Sequence, residues 1–424
     1  MMSEQGLGEL KPSAKLPRGL APLGYRDFAL YWIGLATTNT GRWIELTGLL
    51  WLVYELTDSP FLVGLLGAAR ALPALFLSPV AGVIADRVNQ RGLLFVTQGL
   101  ALVCSLGLAV LVVTGLVELW HIYTQVVVQT AINSFDAAGR QALFPRLVPR
   151  SVLPKAVTLS ITASRVSKFL GPALGGLLIA GLGESSPFFV NAASFVALMV
   201  AVALMKQLAP TMPGKAASFG REMLDGLGHI FSTPVLGGIF KLEIVFGLFE
   251  MNPAMIAVIA REILDAGPRT LGLLLSAPAL GSFVGIFWLL YAQRMGRQGR
   301  LGLICTFAYS GMLTLLAVSP SYVVSFAVLA VIGVLEVLVA VTRNTIMQLA
   351  APANMRGRVM ANMGMITRGT GPLAETQSGF LTSAIGPNPA MLIAAGVIAT
   401  AAGLTAIFNR ELWRFSLDDK STSP

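Results

Sequence analysis

The chain has 424 residues, of which 55% are hydrophobic and only 12% are charged. Soluble domains are about one quarter charged, so this composition excludes an ordinary soluble globular protein and indicates a chain that lies in a lipid bilayer. The net charge of +9 does not point to a nucleic-acid partner, because the cations concentrate in short segments between apolar stretches, as membrane topology requires.

Long apolar stretches account for most of the chain, and each is long enough to cross a bilayer, which takes about 20 residues per helix. Residues 1–26 form a polar segment without a signal-peptide pattern, and we expect a cytosolic tail there. Six apolar stretches follow within 27–208, six more lie within 234–409, and 410–424 is a second cytosolic tail. The sequence therefore predicts an all-α membrane protein with twelve transmembrane helices in two pseudo-symmetric six-helix bundles.

The distribution of Lys and Arg supports an even number of spans with both termini in the cytosol. Of the 30 cations, 20 fall in the N-terminal tail and in the segments 87–91, 146–155, 206–221, 294–300, 356–358 and 410–420. The intervening loops on the opposite side hold at most two. This alternation is the pattern that the positive-inside rule produces, whereas an odd number of spans would disrupt it.

The longest connection, 209–233, separates the two sets of apolar stretches. Its second part places apolar residues at helical spacing beside charged ones, which predicts a short amphipathic helix on the cytosolic face, with a plain solvated linker as the alternative. The apolar residues of this pattern are Met223, Leu224, Leu227, Ile230 and Phe231.

The two sets also resemble each other in sequence. Arg140 and the Gly171-Pro172 pair in the first set recur as Arg343 and Gly371-Pro372 in the second, at offsets of 200 to 203 residues. Internal duplication of six spans is typical of secondary transporters, whose substrate site lies near the membrane midplane between the halves. Chance similarity within an apolar alphabet is the alternative explanation.

The end of the second apolar stretch has the sequence Gly82-Val-Ile-Ala-Asp86-Arg87-Val-Asn-Gln-Arg91-Gly92. It resembles the loop between the second and third spans of the major facilitator superfamily. Gly82 permits close helix approach, and Asp86 lies where it could meet a cation or the N-terminus of an opposing helix. Arg87 and Arg91 would hold the loop on the cytosolic side. The resemblance implies a role in conformational change, while a simple basic turn is the alternative.

The fifth apolar stretch contains Gly171-Pro172-Ala-Leu-Gly175-Gly176, which resembles a motif of drug-exporting proton antiporters. Ser167 stands where that motif usually has a glycine. Together with Trp51-Leu-Val-Tyr-Glu-Leu-Thr and Phe188-Phe-Val-Asn-Ala-Ala-Ser-Phe, the pattern resembles the bacterial exporter branch that includes enterobactin-type siderophore exporters and macrolide-efflux-like proteins. The resemblance covers roughly residues 24–410 and implies efflux, without indicating one substrate. A kinked span without directional meaning is the alternative.

Many ionisable residues lie within the apolar stretches, although each one costs about 2.5–3.5 kcal/mol at the bilayer centre on insertion scales. We therefore expect them to face the bundle interior or a wet cavity, partly in pairs. They are Arg42, Glu45, Arg70, Asp136, Arg140, Arg165, Lys168, Lys241, Glu243, Glu250, Glu336, Arg343, Arg368 and Glu375.

Glu45 is the leading candidate for proton coupling. It follows Arg42 by three residues, so both side chains share one face of the first helix. A carboxyl group in a semi-apolar cavity is protonated more readily than one in water, and Arg42 would oppose this and exchange partners during the cycle. A static Arg42–Glu45 ion pair is the alternative. Glu250 and Glu336 are secondary candidates.

Aromatic and polar residues on the same spans are candidates for the substrate cavity, with simple packing as the alternative. They are Trp43, Phe246, Phe249, Met251 and Asp136. Arg140 and Arg343 recur near cytosolic span ends, which favours gating or loop anchoring over substrate contact. Arg165 and Lys168 are expected to reach the cytosolic end of their span.

The function that these features favour is proton-coupled export of a small amphiphilic compound by alternating access, from the inner membrane of a bacterium, by a monomer. Uptake or lysophospholipid flipping by the same fold is a first alternative, and a non-transporting sensor or scaffold is a second. An enzyme is disfavoured, because no phosphate loop or nucleophile elbow is present. The two cysteines and two histidines are isolated, so we expect neither a metal site nor a cofactor.

Overall fold

The computed structural model describes residue 17 and residues 19–205, 219–292 and 297–416, and regular structure in these ranges is entirely helical. The two predicted tails and the linker 209–233 lie partly outside the described residues. The helices of the first half are α1 (Arg26–Thr57), α2 (Pro60–Arg87), α3 (Gln90–Val113), α4 (Leu119–Leu143), α5 (Leu153–Leu182) and α6 (Ser186–Leu204). Those that follow are α7 (Phe219–Ser232), α8 (Pro234–Phe249), α9 (Pro253–Val258), α10 (Pro268–Ala292), α11 (Gln298–Val318), α12 (Tyr322–Ala350), α13 (Arg356–Ile385), α14 (Pro387–Phe408) and α15 (Arg410–Arg414).

Nine helical segments in the described part of the chain are long and apolar enough to cross a membrane. They correspond to α2, α3, α5, α6, α8 with α9, α10, α11, α12 and α14. Their outward faces carry large apolar side chains, such as Phe76, which is 69% exposed, and Val323, which is 71% exposed. Such surfaces are stable in contact with lipid and not in water.

Three further helices, α1, α4 and α13, have 32, 25 and 30 residues and are as long as the nine, but they carry more polar and charged side chains. Most of the buried charges lie on them or next to them. These helices need protein partners for their polar groups, because lipid offers none.

The structure repeats itself at the spacing seen in the sequence. Helix α13 begins and ends 203 residues after α5, and each contains an internal proline, Pro172 in α5 and Pro372 in α13. Both helices end at a glycine with positive φ, +90° at Gly183 and +86° at Gly386. Only glycine adopts this conformation without a steric penalty, so the two turns are built by the same means.

The helix that follows the linker is interrupted, although the sequence suggested one uninterrupted apolar stretch. Helix α8 ends at Phe249, and α9 begins at Pro253 and passes into a π-helical turn, Ile259–Ile263. Pro253 has no backbone N–H and disfavours helical geometry at the residue before it. Asn252 caps α9 by accepting a hydrogen bond from the Met255 N–H at 3.0 Å.

Contacts between residues divide the chain into two compact units. The first comprises the described residues of Met1–Leu52 and Leu72–Gly214, and the second those of Val53–Ala71 and Lys215–Pro424. In the first unit, α3 packs against α4 and α6, and in the second, α12 packs against α10 and α11. Each of the two units thus has its own buried core.

Within the second unit, the start of α2 crosses α13 at very short range. A Cβ atom built on Gly64 would lie 2.5 Å from the Glu375 carbonyl oxygen and 2.7 Å from Gly379 Cα, so only glycine fits at this crossing. Arg70 and Glu375 form an ion pair beside it, with Glu375 7% exposed. A more exposed pair joins Arg261 and Glu55 at 2.9 Å, with Glu55 45% exposed.

The linker contains helix α7, which packs on the second unit. Ile230 is fully buried in a cluster with residues of α8, α12 and α13, whereas Leu224 and Phe231 are exposed. The side-chain amide of Asn362 on α13 donates a hydrogen bond to the Met223 carbonyl at 3.1 Å. The apolar pattern of the linker therefore serves both a buried contact and an exposed apolar face.

Candidate functional site

The first unit contains a buried group of charges, which we call the charge cluster: Arg42, Asp136 and Arg140, with Thr97 and Gln98. Asp136 is 1% exposed, and its Oδ2 atom lies 2.9 Å from Arg42 Nη2 and 2.6 Å from Arg140 Nη2. Its Oδ1 atom accepts hydrogen bonds from Gln98 Nε2 at 2.6 Å and from Thr97 Oγ1 at 3.4 Å. One carboxylate thus holds two guanidinium groups from α1 and α4.

A second buried group lies one turn further along α1, and we call it the carboxyl cluster: Glu45, Ser105, Gln125 and Asn191. Glu45 is 5% exposed, and Oε1 accepts hydrogen bonds from Ser105 Oγ and Gln125 Nε2, both at 3.0 Å. Oε2 accepts one from Asn191 Nδ2 at 2.7 Å. All three donors are neutral, and they come from α3, α4 and α6.

The expected pairing of Glu45 with Arg42 is not what the structure shows. The two residues share a helical face as expected, but the Arg42 guanidinium turns to Asp136, 94 positions away in the sequence. Glu45 already accepts three hydrogen bonds from neutral donors. On Asp136, the neutral donors Thr97 and Gln98 bind Oδ1, and Oδ2 pairs with Arg42. The carboxyl cluster is therefore separate in its hydrogen bonding from the charge cluster.

A broad pocket of about 760 Å³, which we call the cationic pocket, lies beside the charge cluster in the first unit. Its lining comes from α1, from the end of α4 and the turn after it, and from the first half of α5. The lining residues are Tyr31, Trp43, Arg140, Gln141, Phe144, Pro145, Val157, Ser160, Ile161, Ser164, Arg165 and Lys168. The Lys168 ammonium lies 5.7 Å from the centre of the Trp43 ring, within range of a cation–π contact.

Four of the residues singled out from the sequence line this pocket: Trp43, Arg140, Arg165 and Lys168. Asp136 does not, because it lies beneath the two arginines. The other lining residues were missed. A signal for them exists, since Val157, Ile161 and Arg165 form one row on α5 at four-residue spacing, and Ser160, Ser164 and Lys168 form the adjacent row.

In the second unit, Arg343 on α12 forms an ion pair with Glu243 on α8, and Glu243 is 5% exposed. Arg343 is the repeat equivalent of Arg140. Both arginines are thus held by a buried carboxylate, but in the first unit that carboxylate lies on α4 itself, and α1 supplies a second arginine. An arginine thus lies at the corresponding position in both units, but its carboxylate is shared with a second arginine only in the first unit.

The aromatic and acidic candidates of the second unit line small cavities. Phe246 packs on Tyr309, with ring centres 4.8 Å apart, beside a cavity of about 40 Å³. Phe249, Glu250 and Met251 lie at the interruption after α8 and line a cavity of about 20 Å³. That volume holds about one water molecule, so this cavity does not receive a substrate.

Glu336 is half-buried on α12, within electrostatic reach of the Tyr309 hydroxyl group, as is Glu250. The same hydroxyl accepts a hydrogen bond from the Met251 N–H at 2.7 Å. Tyr309 is therefore a polar residue at the helix interruption that the sequence analysis did not identify.

In the last turns of α2, Gly82 is half-buried and Asp86 and Arg87 are exposed. Among the residues that the structure describes, none forms an ion pair with Asp86. Arg91 donates a hydrogen bond to the Ala203 carbonyl at 2.6 Å, near the C-terminus of α6, where a cation is favourable. Asn89 accepts a hydrogen bond from the Arg91 N–H at 3.1 Å and caps α3.

The glycines of the motif on α5 face α1. A Cβ atom on Gly171 would meet Trp43, and one on Gly175 would lie 2.9 Å from Thr47 Cβ and 3.1 Å from the Ile44 carbonyl oxygen. Gly171, Pro172, Gly175 and Gly176 are all buried, and α5 continues through Pro172 as one helix. The motif therefore brings α5 against the face of α1 that carries Trp43.

We expect Gly175→Val to destabilise the protein by about 1–3 kcal/mol, because the added carbon atoms overpack the crossing of α5 and α1. The matched control is Gly181→Val on the same helix, since a Cβ atom at Gly181 has no neighbour within 4 Å. Thermal unfolding of both purified variants in detergent measures the difference. Equal unfolding midpoints for the two variants would contradict the close crossing.

Long apolar helices whose charged side chains are buried in clusters define an integral membrane protein, and the buried carboxyl and cationic pocket fit a transporter. The sequence profile of the transmembrane secretion effector family, a group of major facilitator transporters, matches residues 18–423. The chain belongs to this family. Members and relatives of the family are transporters and not enzymes.

Individual relatives agree with this assignment. The chain is 25% identical to the uncharacterised MFS-type transporter YfiS of Bacillus subtilis, over 88% of this chain and 91% of that protein. It is 24% identical to the multidrug efflux pump Tap of Mycolicibacterium fortuitum, over 91% of this chain and 96% of the pump. It is 26% identical to the enterobactin exporter EntS of Salmonella typhi, over 72% and 74%.

Solved structures show the same fold at low sequence identity. The nucleoside transporter NupG matches 90% of this chain and 98% of its own, with a TM-score of 0.70 and 13% identity. A bacterial homologue of the human lysosomal transporter Spinster matches 95% and 97%, with a TM-score of 0.66 and 12% identity.

Proposed function

We propose that the protein is a proton-coupled exporter of small amphiphilic compounds that works by alternating access. The observation that supports this most strongly is Glu45, a buried carboxyl group that accepts hydrogen bonds from the neutral donors Ser105, Gln125 and Asn191. Such a carboxyl can gain or lose a proton without breaking an ion pair, which suits a site that is loaded and unloaded in every cycle. The efflux pump and the siderophore exporter among its relatives support the direction.

The proposal includes twelve spans in two six-helix bundles, 27–208 and 234–409, joined by a cytosolic linker. The nine apolar segments and the three helices α1, α4 and α13 support twelve spans. These three helices are long enough to cross a bilayer, and polar groups on them find partners within the protein. With the cation distribution, an even number places both termini in the cytosol. The bacterial relatives support the inner membrane as the location, and we propose a monomer.

In this proposal the end of α2, with Gly82, Asp86 and Arg87, the turn after it and Arg91 at the start of α3 act in conformational change, as do the glycines of α5. The contact of Arg91 with the end of α6 supports this, because it links the turn to another helix. Arg343 links α12 to α8 through Glu243, and Arg140 shares Asp136 of its own helix with Arg42 of α1. These pairs support a structural or gating role for the two arginines.

Reconstituted vesicles with an imposed pH gradient test the function. We expect vesicles with an acid interior to accumulate at least one compound from a panel of a catecholate siderophore, a macrolide and an aromatic dye. One pH unit supplies about 1.4 kcal/mol per proton, enough for about tenfold accumulation. A protonophore should abolish the accumulation, and a pH-sensitive dye should report proton efflux coupled to it.

Protein-free vesicles and vesicles without a gradient are the controls. Substrate movement in the same direction as the protons would replace export by uptake. Transfer of a labelled lysophospholipid between leaflets, without movement of the panel compounds, would replace it by lipid flipping.

A further inference from the structure

We infer that the cationic pocket binds the negatively charged group of an amphiphilic organic anion, so that the substrates of this transporter are anions with an aromatic or apolar body. The inference rests on the proposed transport function and names the class of compound that it serves. It is carried by the residues that line the pocket, all of which belong to the first unit.

The charge of the pocket is one-sided. Arg140, Arg165 and Lys168 line it, and no Asp or Glu is present among its described lining residues. Asp136, the carboxylate of the charge cluster, is not among the lining residues and is shared by Arg42 and Arg140. Arg165 and Lys168 form no ion pair with any residue in the described ranges. The wall therefore keeps an excess of positive charge.

Two buried polar atoms beside this pocket lack a hydrogen-bond partner in the described part of the chain. Arg140 is 8% exposed, and its Nε atom has no hydrogen-bond partner in the part of the chain that the structure describes. The same holds for Ser160 Oγ, which lies on the neighbouring face of α5. Buried donors without partners are costly, and an anion supplies what they lack, since guanidinium groups form strong, charge-assisted hydrogen bonds with carboxylate or phosphate oxygens.

The remainder of the wall suits a hydrophobic body. Tyr31, Trp43 and Phe144 are aromatic, and Val157 and Ile161 extend the apolar surface along α5. A volume of about 760 Å³ lies within the range of about 300–1,000 Å³ that drug-sized ligands occupy. An inorganic anion would leave this surface unused, so the combination favours an amphiphile over a simple ion.

The position of the pocket agrees with loading for export. It lies between the end of α4 and the first half of α5, next to the segment 146–155 that the cation distribution places in the cytosol. An exporter must bind its substrate from that side.

The test compares three probes of the same shape on the purified, full-length protein in a non-ionic detergent. They are 2-naphthaleneacetate, its neutral amide and the cationic 2-naphthylethylamine, with binding measured by isothermal titration calorimetry. We expect the carboxylate to bind at least about tenfold more tightly than the amide, and the amine to bind more weakly than both, since hydrogen bonds to charged groups are worth about 1.5–3 kcal/mol.

The double variant Arg165→Gln/Lys168→Gln should lose this preference, with about a tenfold weaker affinity for the carboxylate and little change for the amide. Lys155→Gln is the matched control, because Lys155 is an exposed cation on the same helix outside the pocket. It should bind all three probes as the unmodified protein does.

Equal affinity of the unmodified protein for carboxylate and amide would overturn the inference, and this comparison needs no variant. A preference that survives in the double variant would also overturn it. Lysophosphatidylglycerol, added as a competitor of 2-naphthaleneacetate, distinguishes a lipid anion from a soluble one. Displacement indicates a site that also accepts a lipid anion, whereas binding without displacement indicates a site for soluble anions, and both results support an anion site. Binding without gradient-driven transport would instead refute the proposed function, so the two failures can be told apart.

Discussion

Glu45→Gln is expected to abolish the dependence of transport on the pH gradient while the protein remains folded. Glutamine keeps the size of the side chain, and its carbonyl oxygen can still accept hydrogen bonds from Ser105 or Asn191, but it cannot take up or release a proton. With one pH unit across the membrane, accumulation should therefore fall by about tenfold, to the level of vesicles without a gradient. Uptake in vesicles with and without an acid interior measures the effect.

Glu411→Gln is the matched control, because Glu411 is an exposed acid on α15 to which the same chemical change applies. It should leave accumulation unchanged. Substrate exchange across the membrane without a gradient should persist in Glu45→Gln, since exchange needs the alternating motion and no net proton movement. If Glu45→Gln transports with the same pH dependence as the unmodified protein, Glu45 is not the coupling group.

Asp136→Asn should be among the most destabilising substitutions of the first unit. It leaves the half-buried Arg42 and the buried Arg140 beside each other without the carboxylate that holds their guanidinium groups. Removing one partner of a buried ion pair costs about 3–5 kcal/mol, because the remaining charge is uncompensated. Unfolding by denaturant in detergent, followed by circular dichroism, measures the change in the free energy of unfolding.

The exposed pair Arg261–Glu55 provides the comparison, and Glu55→Gln should cost about 0–1 kcal/mol, since solvent screens exposed ion pairs. Adding Arg140→Gln to Asp136→Asn should recover part of the loss by removing one of the two opposed cations. A loss for Asp136→Asn no larger than that for Glu55→Gln would show that the charge cluster does not stabilise the fold.

Two arginines that lie 203 positions apart in the sequence differ in the charges that surround them. The arginines at equivalent positions, Arg140 and Arg343, each pair with a buried carboxylate. Glu243 balances Arg343 one to one, whereas Asp136 is shared between two arginines. Of these two groups of ion pairs, the one with excess positive charge lies in the first unit, beside a pocket large enough for a ligand.

Much of the candidate site could be located from the sequence, but its internal pairing could not. Intramembrane charges are costly wherever they occur, so Arg42, Glu45 and Asp136 could be singled out by type and position alone. Their partners are remote, since Glu45 is held by residues 60, 80 and 146 positions away. Helical spacing relates Arg42 to Glu45 on one face and carries no information about which neighbouring helix presents Asp136.

The interruption after α8 shows the same limit at the level of the backbone. Pro253 was visible in the sequence, but an internal proline is compatible with both outcomes. Pro172 and Pro372 lie within continuous helices, whereas Pro253 begins a new one. The capping side chain of Asn252 and the hydrogen bond from Met251 to Tyr309, 58 residues away, stabilise the break, and the second of these depends on tertiary packing.

The sequence by itself determined that this chain belongs in a membrane and which costly charges lie within its apolar stretches, because hydropathy, charge distribution and helical period are properties of single segments. Only the tertiary structure decided that Arg42 binds Asp136, that Glu45 is surrounded by neutral donors, and that Arg165 and Lys168 share a pocket with Trp43. The physical reason is that these contacts depend on the rotation and axial shift of each helix against its neighbours, which the packing of all of them sets together.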